Sequence, residues 1–254
     1  MANAAVQTKP AEDTLHKLDQ AVIAPAPSRR YRAQAFQAYV LVASVVFVGL
    51  AIGAHFIPYF PIDLTITRAI QNLHGATFET LMYDVSWIGF MPQVDILGGI
   101  VVVLLFVAGL RWESVSTLVA GLGVGVGTVV KLVVARPRPS ADLVHVLNQL
   151  PTSGFPSGHV LMATTFCGYL AFLTFTLIKP SWGRTALLVF FTLLIALMGL
   201  SRIDLGHHWF SDVMGAYLLG SLWLAMTIRL YRWGKPRYFV NQPVAPDPSP
   251  IPSH

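Results

Sequence analysis

Charge is what this chain has least of. Only 11% of its 254 residues are Asp, Glu, Lys or Arg, while 54% are hydrophobic. That balance excludes a water-soluble domain of this size and places the chain in a membrane. Cysteine is nearly absent as well. Cys167 stands alone in the middle of an apolar run, which excludes a disulfide framework or a cysteine-based metal site and leaves buried packing as its role. There is no Asn-x-Ser/Thr acceptor, which together with the compact length fits a bacterial protein. A glycine-rich phosphate loop is missing too. Gly121, Gly123, Gly125 and Gly127 resemble one superficially, but position 126 is Val and no strand precedes them. Their two interleaved Gly-x-x-x-Gly pairs predict close approach of helices within the bilayer instead. A cleavable signal peptide is not expected, because the charged stretch ahead of the first apolar run is too long and no small-residue cleavage site follows it.

What is present is a series of apolar runs near the roughly 20 residues that cross a hydrocarbon core of about 30 Å. Residues 39–57, 96–110, 115–134, 160–178, 186–200 and 213–230 predict an all-α polytopic protein with six transmembrane helices. The second run is short unless it extends back through Val94 toward Phe90. With the N-terminus inside, the inner segments hold Lys9, Lys17, Arg29, Arg30, Arg32, Arg111, Lys179, Arg184, Arg229, Arg232, Lys235 and Arg237, twelve of the seventeen basic residues. The outer segments hold Arg68, Lys131, Arg136, Arg138 and Arg202. The net charge of +5 therefore reads as topology, with both termini cytoplasmic in a bacterial inner membrane, and not as nucleic-acid binding.

Residues 1–36 read as a disordered cytoplasmic tail in which a short helix over 11–22 precedes the Arg29-Arg30-Tyr31-Arg32 cluster, an anchor to anionic headgroups. The transmembrane domain covers 37–232, and the Pro-rich tail 233–254 cannot build a packed core. Between the first two spans, residues 58–93 carry an amphipathic pattern through Leu64, Ile66, Ile70, Phe78, Leu81 and Met82. Such a segment lies on the membrane surface and either covers a site or only connects two helices.

Three polar islands interrupt the apolar background: Lys131-x6-Arg138-Pro139, Pro156-Ser157-Gly158-His159 and Ser201-Arg202-x5-His208-x3-Asp212. The first ends span three, the second opens span four and the third lies between spans five and six, so parity puts all three on the outer, extracytoplasmic face. A charge near a membrane helix centre costs about 2.5–3.5 kcal/mol, so Lys131 requires a wet cavity or an anionic partner. Phosphate is such a partner. The planar forks of Arg138 and Arg202 suit its oxygens, Lys131 adds a point charge, and the helix start at Ser157-Gly158-His159 offers unpaired amides to an anion. His208 and Asp212, four apart at the start of span six, are expected on one helical face with the carboxylate fixing one ring nitrogen and the other aimed at the substrate. His159 then protonates the leaving oxygen and activates water. This chemistry needs no metal and no cofactor. His207 is out of register, since Ser211 stands four residues beyond it, and Arg136 reads as an interfacial anchor.

Taken singly, each motif has a bland reading: a His-x3-Asp pair is commonly a cap, Pro-Ser-Gly-His a turn before a helix, and Lys131 a snorkelling residue. Their conjunction in this order on one side of a membrane is what carries weight. The three islands resemble the signature motifs of the type 2 phosphatidic acid phosphatase superfamily, membrane lipid phosphate phosphatases related to vanadium haloperoxidases. The likeness covers roughly residues 96–231, including Gly154-Phe155 ahead of the second motif and Ser211-Asp212-Val213-Met214-Gly215 around the third. The resemblance implies a six-helix fold, metal-independent hydrolysis of lipid phosphomonoesters or pyrophosphates, and a phosphohistidine intermediate. His208 would be the nucleophile, Asp212 its partner, His159 the acid and base, and Lys131, Arg138, Ser157, Gly158 and Arg202 the phosphate binders. Undecaprenyl pyrophosphate, phosphatidylglycerol phosphate and phosphatidic acid are the substrates to weigh, and no residue separates them. A phosphotransferase using the same intermediate and a non-catalytic lipid-phosphate carrier stand as alternatives.

Overall fold

The computed structural model describes residues 27–73, 75–90 and 93–238, and every regular element among them is helical. In chain order these are α1 (Pro27–Phe56), α2 (Pro61–Gln71), α3 (Ala76–Ile88), α4 (Gln93–Val107), α5 (Arg111–Gly121), α6 (Gly123–Val134), α7 (Gly158–Met162), a π-helical turn (Ala163–Cys167), α8 (Gly168–Leu177), α9 (Trp182–Asp204) and α10 (Phe210–Tyr238). Two compact units are distinguished, Met1–Val45 and Val46–His254. The first contributes the opening of α1, and the second contains everything that follows.

Among the described residues, five stretches are long and apolar enough to cross a membrane: Tyr31–Phe56, Arg111–Val134, Gly158–Leu177, Trp182–Asp204 and Phe210–Arg237. They correspond to five of the six expected spans. The remaining one, expected at 96–110, is the fifteen-residue α4, too short to cross by itself at 1.5 Å per residue. It reaches crossing length only in combination with α3, from which it bends by 58°. The third expected span starts earlier than predicted, at Arg111, and is broken at Leu122 into α5 and α6. The chain is an integral membrane protein.

Helix extends beyond the predicted domain edges at both ends. Among the described residues α1 runs from Pro27, and α10 continues through Pro236 to Tyr238. The helix expected over 11–22 lies outside the described residues, as does the Pro-rich tail beyond Tyr238.

Segment 58–93 builds two helices that pack into the bundle. α2 starts at Pro61, and the Asp63 side chain accepts the Phe60 N–H at 2.9 Å, closing the first turn. α2 and α3 both pack on α9, and α2 also touches α10. A core of Val85, Val160, Leu161, Ala163, Met198, Ile203, Val213 and Ala216 joins α3, α7, α9 and α10. A second cluster of Ala120, Tyr169, Leu173 and Tyr231 joins α5, α8 and α10. There Glu113 is fully buried and accepts hydrogen bonds from the Tyr231 hydroxyl at 2.8 Å and from Lys235 Nζ at 2.6 Å, which ties the last turns of α10 to the start of α5. Cys167 is buried in the π-helical turn.

The glycine ladder resolves into two faces. A Cβ on Gly123 would meet Trp223 and Thr165, and one on Gly127 would fall onto the Leu161 side chain. Gly121 and Gly125 face open space. Only one of the two interleaved pairs is therefore a packing seam, the one that lets α6 approach α7 and α10 closely. Gly127→Ala is expected to destabilise the protein by about 1–3 kcal/mol through overpacking. Gly125→Ala is expected to be neutral or to stabilise by up to about 1 kcal/mol through helix propensity. Thermal unfolding of the two variants in detergent, compared with the parent, checks both signs.

Candidate active site

The three polar islands meet at one end of the bundle. Lys131, on the last turn of α6, donates through Nζ to the carbonyls of Ser153 and Pro156, at 2.8 and 2.9 Å. Its charge is thus held against the loop that leads into α7. Arg138 bridges the first and third islands. It donates from Nε to Thr152 O at 2.6 Å, from Nη2 to Thr152 Oγ1 at 2.9 Å and from Nη1 to His207 O at 2.5 Å, and Nη1 stands 3.2 Å from His208 Nε2. The second island meets the third through the backbone, where Ser157 N–H donates to Asp212 O at 3.2 Å.

Ser157 occupies the N-cap of α7, and Gly158 and His159 are its first residues. First-turn amides have no intrahelical acceptor, which suits a helix start of this kind to an anion. Arg202 sits on the last turn of α9, wholly buried. Its Nη1 bonds the Ser86 hydroxyl of α3, and its carbonyl accepts the N–H groups of both His207 and His208, each at 3.1 Å. The turn between is made by Gly206, whose φ of +65° is left-handed and whose missing Cβ leaves room for the His145 carbonyl. Phe90 links the acid–base candidate to this arginine: its ring lies 5.0 Å from the His159 ring, edge to face, and 5.5 Å from Arg202 Cζ.

The placement of His208 departs from expectation. α10 begins at Phe210, so His208 lies in the turn before the helix rather than on its first face. Asp212 is at the third helical position and accepts the Trp209 N–H at 3.0 Å through Oδ2, acting as a cap for its own helix. The same Oδ2 stands 3.7 Å from His208 Nδ1, adjacent but beyond hydrogen-bond length. The two side chains are neighbours with no hydrogen bond between them.

Arg136 is not an interfacial anchor. It is fully buried, and every nitrogen of its guanidinium donates: Nε to Pro58 O at 3.1 Å, Nη2 to Asp63 Oδ2 at 2.9 Å, and Nη1 to Asp212 Oδ1 at 2.6 Å and Ser211 Oγ at 2.7 Å. Its ring contact with Phe60, at 5.0 Å, covers one face. Asp63, also fully buried, accepts the Ser211 N–H at 2.7 Å and the Ser211 hydroxyl at 2.8 Å. Sequence reasoning missed Asp63 altogether. The available signal was an acidic residue placed three positions after Phe60 at a Pro-initiated helix, but such a residue is ordinarily just a cap.

Of the predicted site residues, Lys131, Arg138, Ser157, Gly158, His159, Arg202, His208 and Asp212 all belong to this one assembly. Several of their polar atoms are buried without a protein partner: Ser157 Oγ, His159 Nε2, Arg202 Nε and Nη2, and His208 Nδ1. Buried polar atoms without a partner are costly, about 1–3 kcal/mol each, so their concentration sets this end of the bundle apart from the apolar core. Burial, reinforced by Arg138, Arg202 and Lys131, holds His208 well below the ordinary imidazole range, so the ring is neutral. Burial and the same two arginines pull the neighbouring His207 down to about 3, and His207 Nε2 is engaged by Asn148 Oδ1. His207 is thus committed to the loop. Among the described residues no group of three or more His, Cys, Asp or Glu converges as a metal site would require.

Residues 112–236 match the model of the PAP2 superfamily. Phosphatidylglycerophosphatase B of Bacillus subtilis (strain 168) is 27% identical over 183 residues, covering 69% of this chain and 86% of that protein. An undecaprenyl-diphosphatase of Sulfolobus acidocaldarius is 31% identical over 107 residues, covering 41% of this chain and 47% of that protein. Among solved structures, the transmembrane PAP2 type phosphatidylglycerolphosphate phosphatase from Bacillus subtilis superposes with a TM-score of 0.67 at 23% identity, over 79% of this chain and 98% of that one. Aquifex aeolicus LpxE superposes with a TM-score of 0.56, also at 23% identity, over 68% of this chain and 98% of that one. The stretch 112–236, which holds all three polar islands, thus matches the PAP2 superfamily over just under half of the chain.

Proposed function

We propose that this protein is a membrane lipid phosphatase that hydrolyses a phosphomonoester or pyrophosphate through a phosphohistidine, at a site on the extracytoplasmic side of the membrane. The observation that carries this reading is the group of buried, unpartnered atoms of Ser157, His159 and Arg202, gathered next to a neutral histidine. A tetrahedral phosphate supplies the acceptors those donors lack. Arg202 Nε and Nη2 form a fork for two of its oxygens, the Ser157 hydroxyl and the first amides of α7 take another, and Lys131 and Arg138 close the far side.

The chemistry then follows from proton positions. His208 Nε2 attacks phosphorus while Nδ1 is steadied by Asp212, and the bond from phosphorus to the lipid oxygen breaks. His159 delivers its proton to that oxygen, releasing the lipid alcohol or lipid monophosphate. The phosphate's negative charge offsets the positive field of the three cations and so lets His159 carry that proton. In the second half His159 takes a proton from water, the hydroxide attacks phosphorus, and the P–N bond breaks to regenerate His208 and free phosphate. The fixed cations stabilise the charge that spreads over the equatorial oxygens in both steps.

An amphiphilic substrate is supported by what surrounds the site. Beside the cations lies a cavity of about 480 Å³ whose lining mixes Lys131, Arg138, Thr152 and Ser153 with Leu132, Ala135 and Leu150. Leu132 is 76% exposed on the outer surface of α6, where lipid would lie. A phosphate at the cations and a tail in the bilayer suit that mixed lining. The relatives' names point to phosphatidylglycerol phosphate and undecaprenyl pyrophosphate as the substrates to test alongside phosphatidic acid.

Purified protein in detergent is expected to release inorganic phosphate from at least one of these lipids without any added acceptor. His208→Ala should lower the rate by at least about 10³-fold, as removal of a nucleophile does. Vanadate should compete with substrate, and EDTA should leave the rate unchanged. Release only when a second lipid or sugar is supplied would move the assignment to a phosphotransferase, and strong EDTA inhibition reversed by a divalent ion would overturn the metal-free chemistry.

Acid stability offers a separate check on the anion site. His207 is depressed to about 3 and His208 lies well below its ordinary value, whereas both bind protons near about 6.5 in the unfolded chain. Below about 6.5 the unfolded state therefore binds more protons, so stability present above that pH is lost as the pH falls toward about 3. Inorganic phosphate, by offsetting the cations beside His208, is expected to raise the unfolding temperature in this window relative to chloride at equal ionic strength. Unfolding followed from pH 8 to pH 4 checks both; absence of any phosphate effect would count against an anion site.

A further inference from the structure

We infer that Asp63, contributed by the helix that precedes the three motifs, is a positioning residue for the nucleophilic histidine, acting through Arg136 and Asp212. The inference rests on the phosphatase reading for the identity of the nucleophile, and on the geometry for everything else. Asp63 and Asp212 grip the same guanidinium from two sides, at 2.9 Å through Nη2 and 2.6 Å through Nη1. All three side chains are excluded from solvent. Each carboxylate also holds the start of α10: Asp63 takes the Ser211 N–H and hydroxyl, and Asp212 takes the Trp209 N–H. His208 is the residue immediately before Trp209, so its backbone is placed by this double cap. Its ring faces Asp212 Oδ2, the oxygen that Arg136 does not hold.

The division of labour at Asp212 depends on Asp63. A guanidinium shared between two carboxylates draws less on each than one paired with a single carboxylate. With Asp63 in place, Arg136 binds Asp212 through Oδ1 and leaves Oδ2 enough negative charge to orient the Nδ1–H of His208. Without the Asp63 charge, the whole of the Arg136 field falls on Asp212, Oδ2 becomes a poorer acceptor, and the His208 tautomer that presents a bare Nε2 to phosphorus is less favoured. Ser211 reinforces the arrangement because its hydroxyl accepts from Arg136 and donates to Asp63.

The test uses full-length protein in detergent. In Asp63→Asn, kcat is expected to fall about 10- to 100-fold with KM within about 3-fold, the pattern of a lost orienting contact rather than a lost substrate contact. Asp63→Glu should recover part of the rate. Independently of turnover, the ring nitrogen signals of His208 in ¹⁵N-histidine-labelled protein, identified by their loss in His208→Gln, should shift in Asp63→Asn toward the other tautomer. Unchanged kcat together with unchanged His208 ring signals would overturn the inference. Should the parent protein release no phosphate, the phosphatase reading fails, while the ring signals still decide the role of Asp63. If Asp63→Asn does not fold, Ser211→Ala takes its place: it removes the bridging hydroxyl without unpairing a charge, and ring signals unmoved there would equally overturn the inference.

Discussion

The arrangement of this active site depends on one buried guanidinium. Arg136 joins the loop after α6, the start of α2 and the start of α10, three segments far apart in sequence, by hydrogen bonds from every one of its nitrogens. The energetics explain why such a cluster is not simply a stabilising device. Removing each ion from water costs several kcal/mol, and a buried pair often does no better than apolar side chains of the same volume. Two carboxylates sharing one guanidinium carry a net negative charge, which further weakens any argument from stability alone. What the cluster provides is geometry, because partners that cannot be left unpaired without a large penalty permit only one arrangement of the three segments. His208 takes its position from that arrangement.

Against this anionic cluster stands a cationic one. Lys131, Arg138 and Arg202 converge on the other side of His208, and their donors are divided between two tasks. Lys131 and Arg138 are anchored to carbonyls of 152, 153, 156 and 207, whereas Arg202 is anchored by one nitrogen and leaves two without a partner. Anchored cations do not have to reorganise when charge develops on a transferring phosphoryl group, which is where preorganised sites gain over water. Three like charges held close in a water-poor space repel one another, and the folded protein carries that repulsion until an anion arrives. The neutral state of His208 follows from burial together with the same field, so the three cations and the uncharged ring have a common electrostatic origin.

The parts of this structure legible in the sequence were those written in local pattern. Apolar run length located five of the six expected spans, and the residues of the three motifs lie near one another at one end of the bundle. The misjudged parts were set by contacts between distant segments. Arg136 lies two residues from Arg138 and near the end of an apolar helix, so by itself it looks like a snorkelling residue; only the approach of α2 and α10 turns it inward. Asp63 looks like a helix cap and is one, but its second oxygen reaches across to α10. The His208–Asp212 spacing suggested a shared helical face, yet the helix starts between them because Asp212 is used to cap it. Of the glycines, spacing established that a close contact was possible, while the choice of Gly123 and Gly127 over Gly121 and Gly125 depended on which face meets Leu161, Thr165 and Trp223.

Segment 58–93 shows how the membrane setting shapes such a site. A helix bundle satisfies its own backbone in lipid, but polar side chains at its end still need partners and a cover. α2 supplies a carboxylate to the cluster, α3 supplies the Ser86 hydroxyl to Arg202, and the residues after α3 place Phe90 against both Arg202 and His159. A segment that merely connected two helices would have no reason to bury Asp63 and Ser86 completely. Gly89 makes the same point sterically, since a side chain there would overlap the His159 ring. His159, Arg202 and Asp212 are thus all contacted, directly or through Arg136, by a stretch of chain outside the three motifs, so the local sequence of the motifs alone does not fix how their side chains are held.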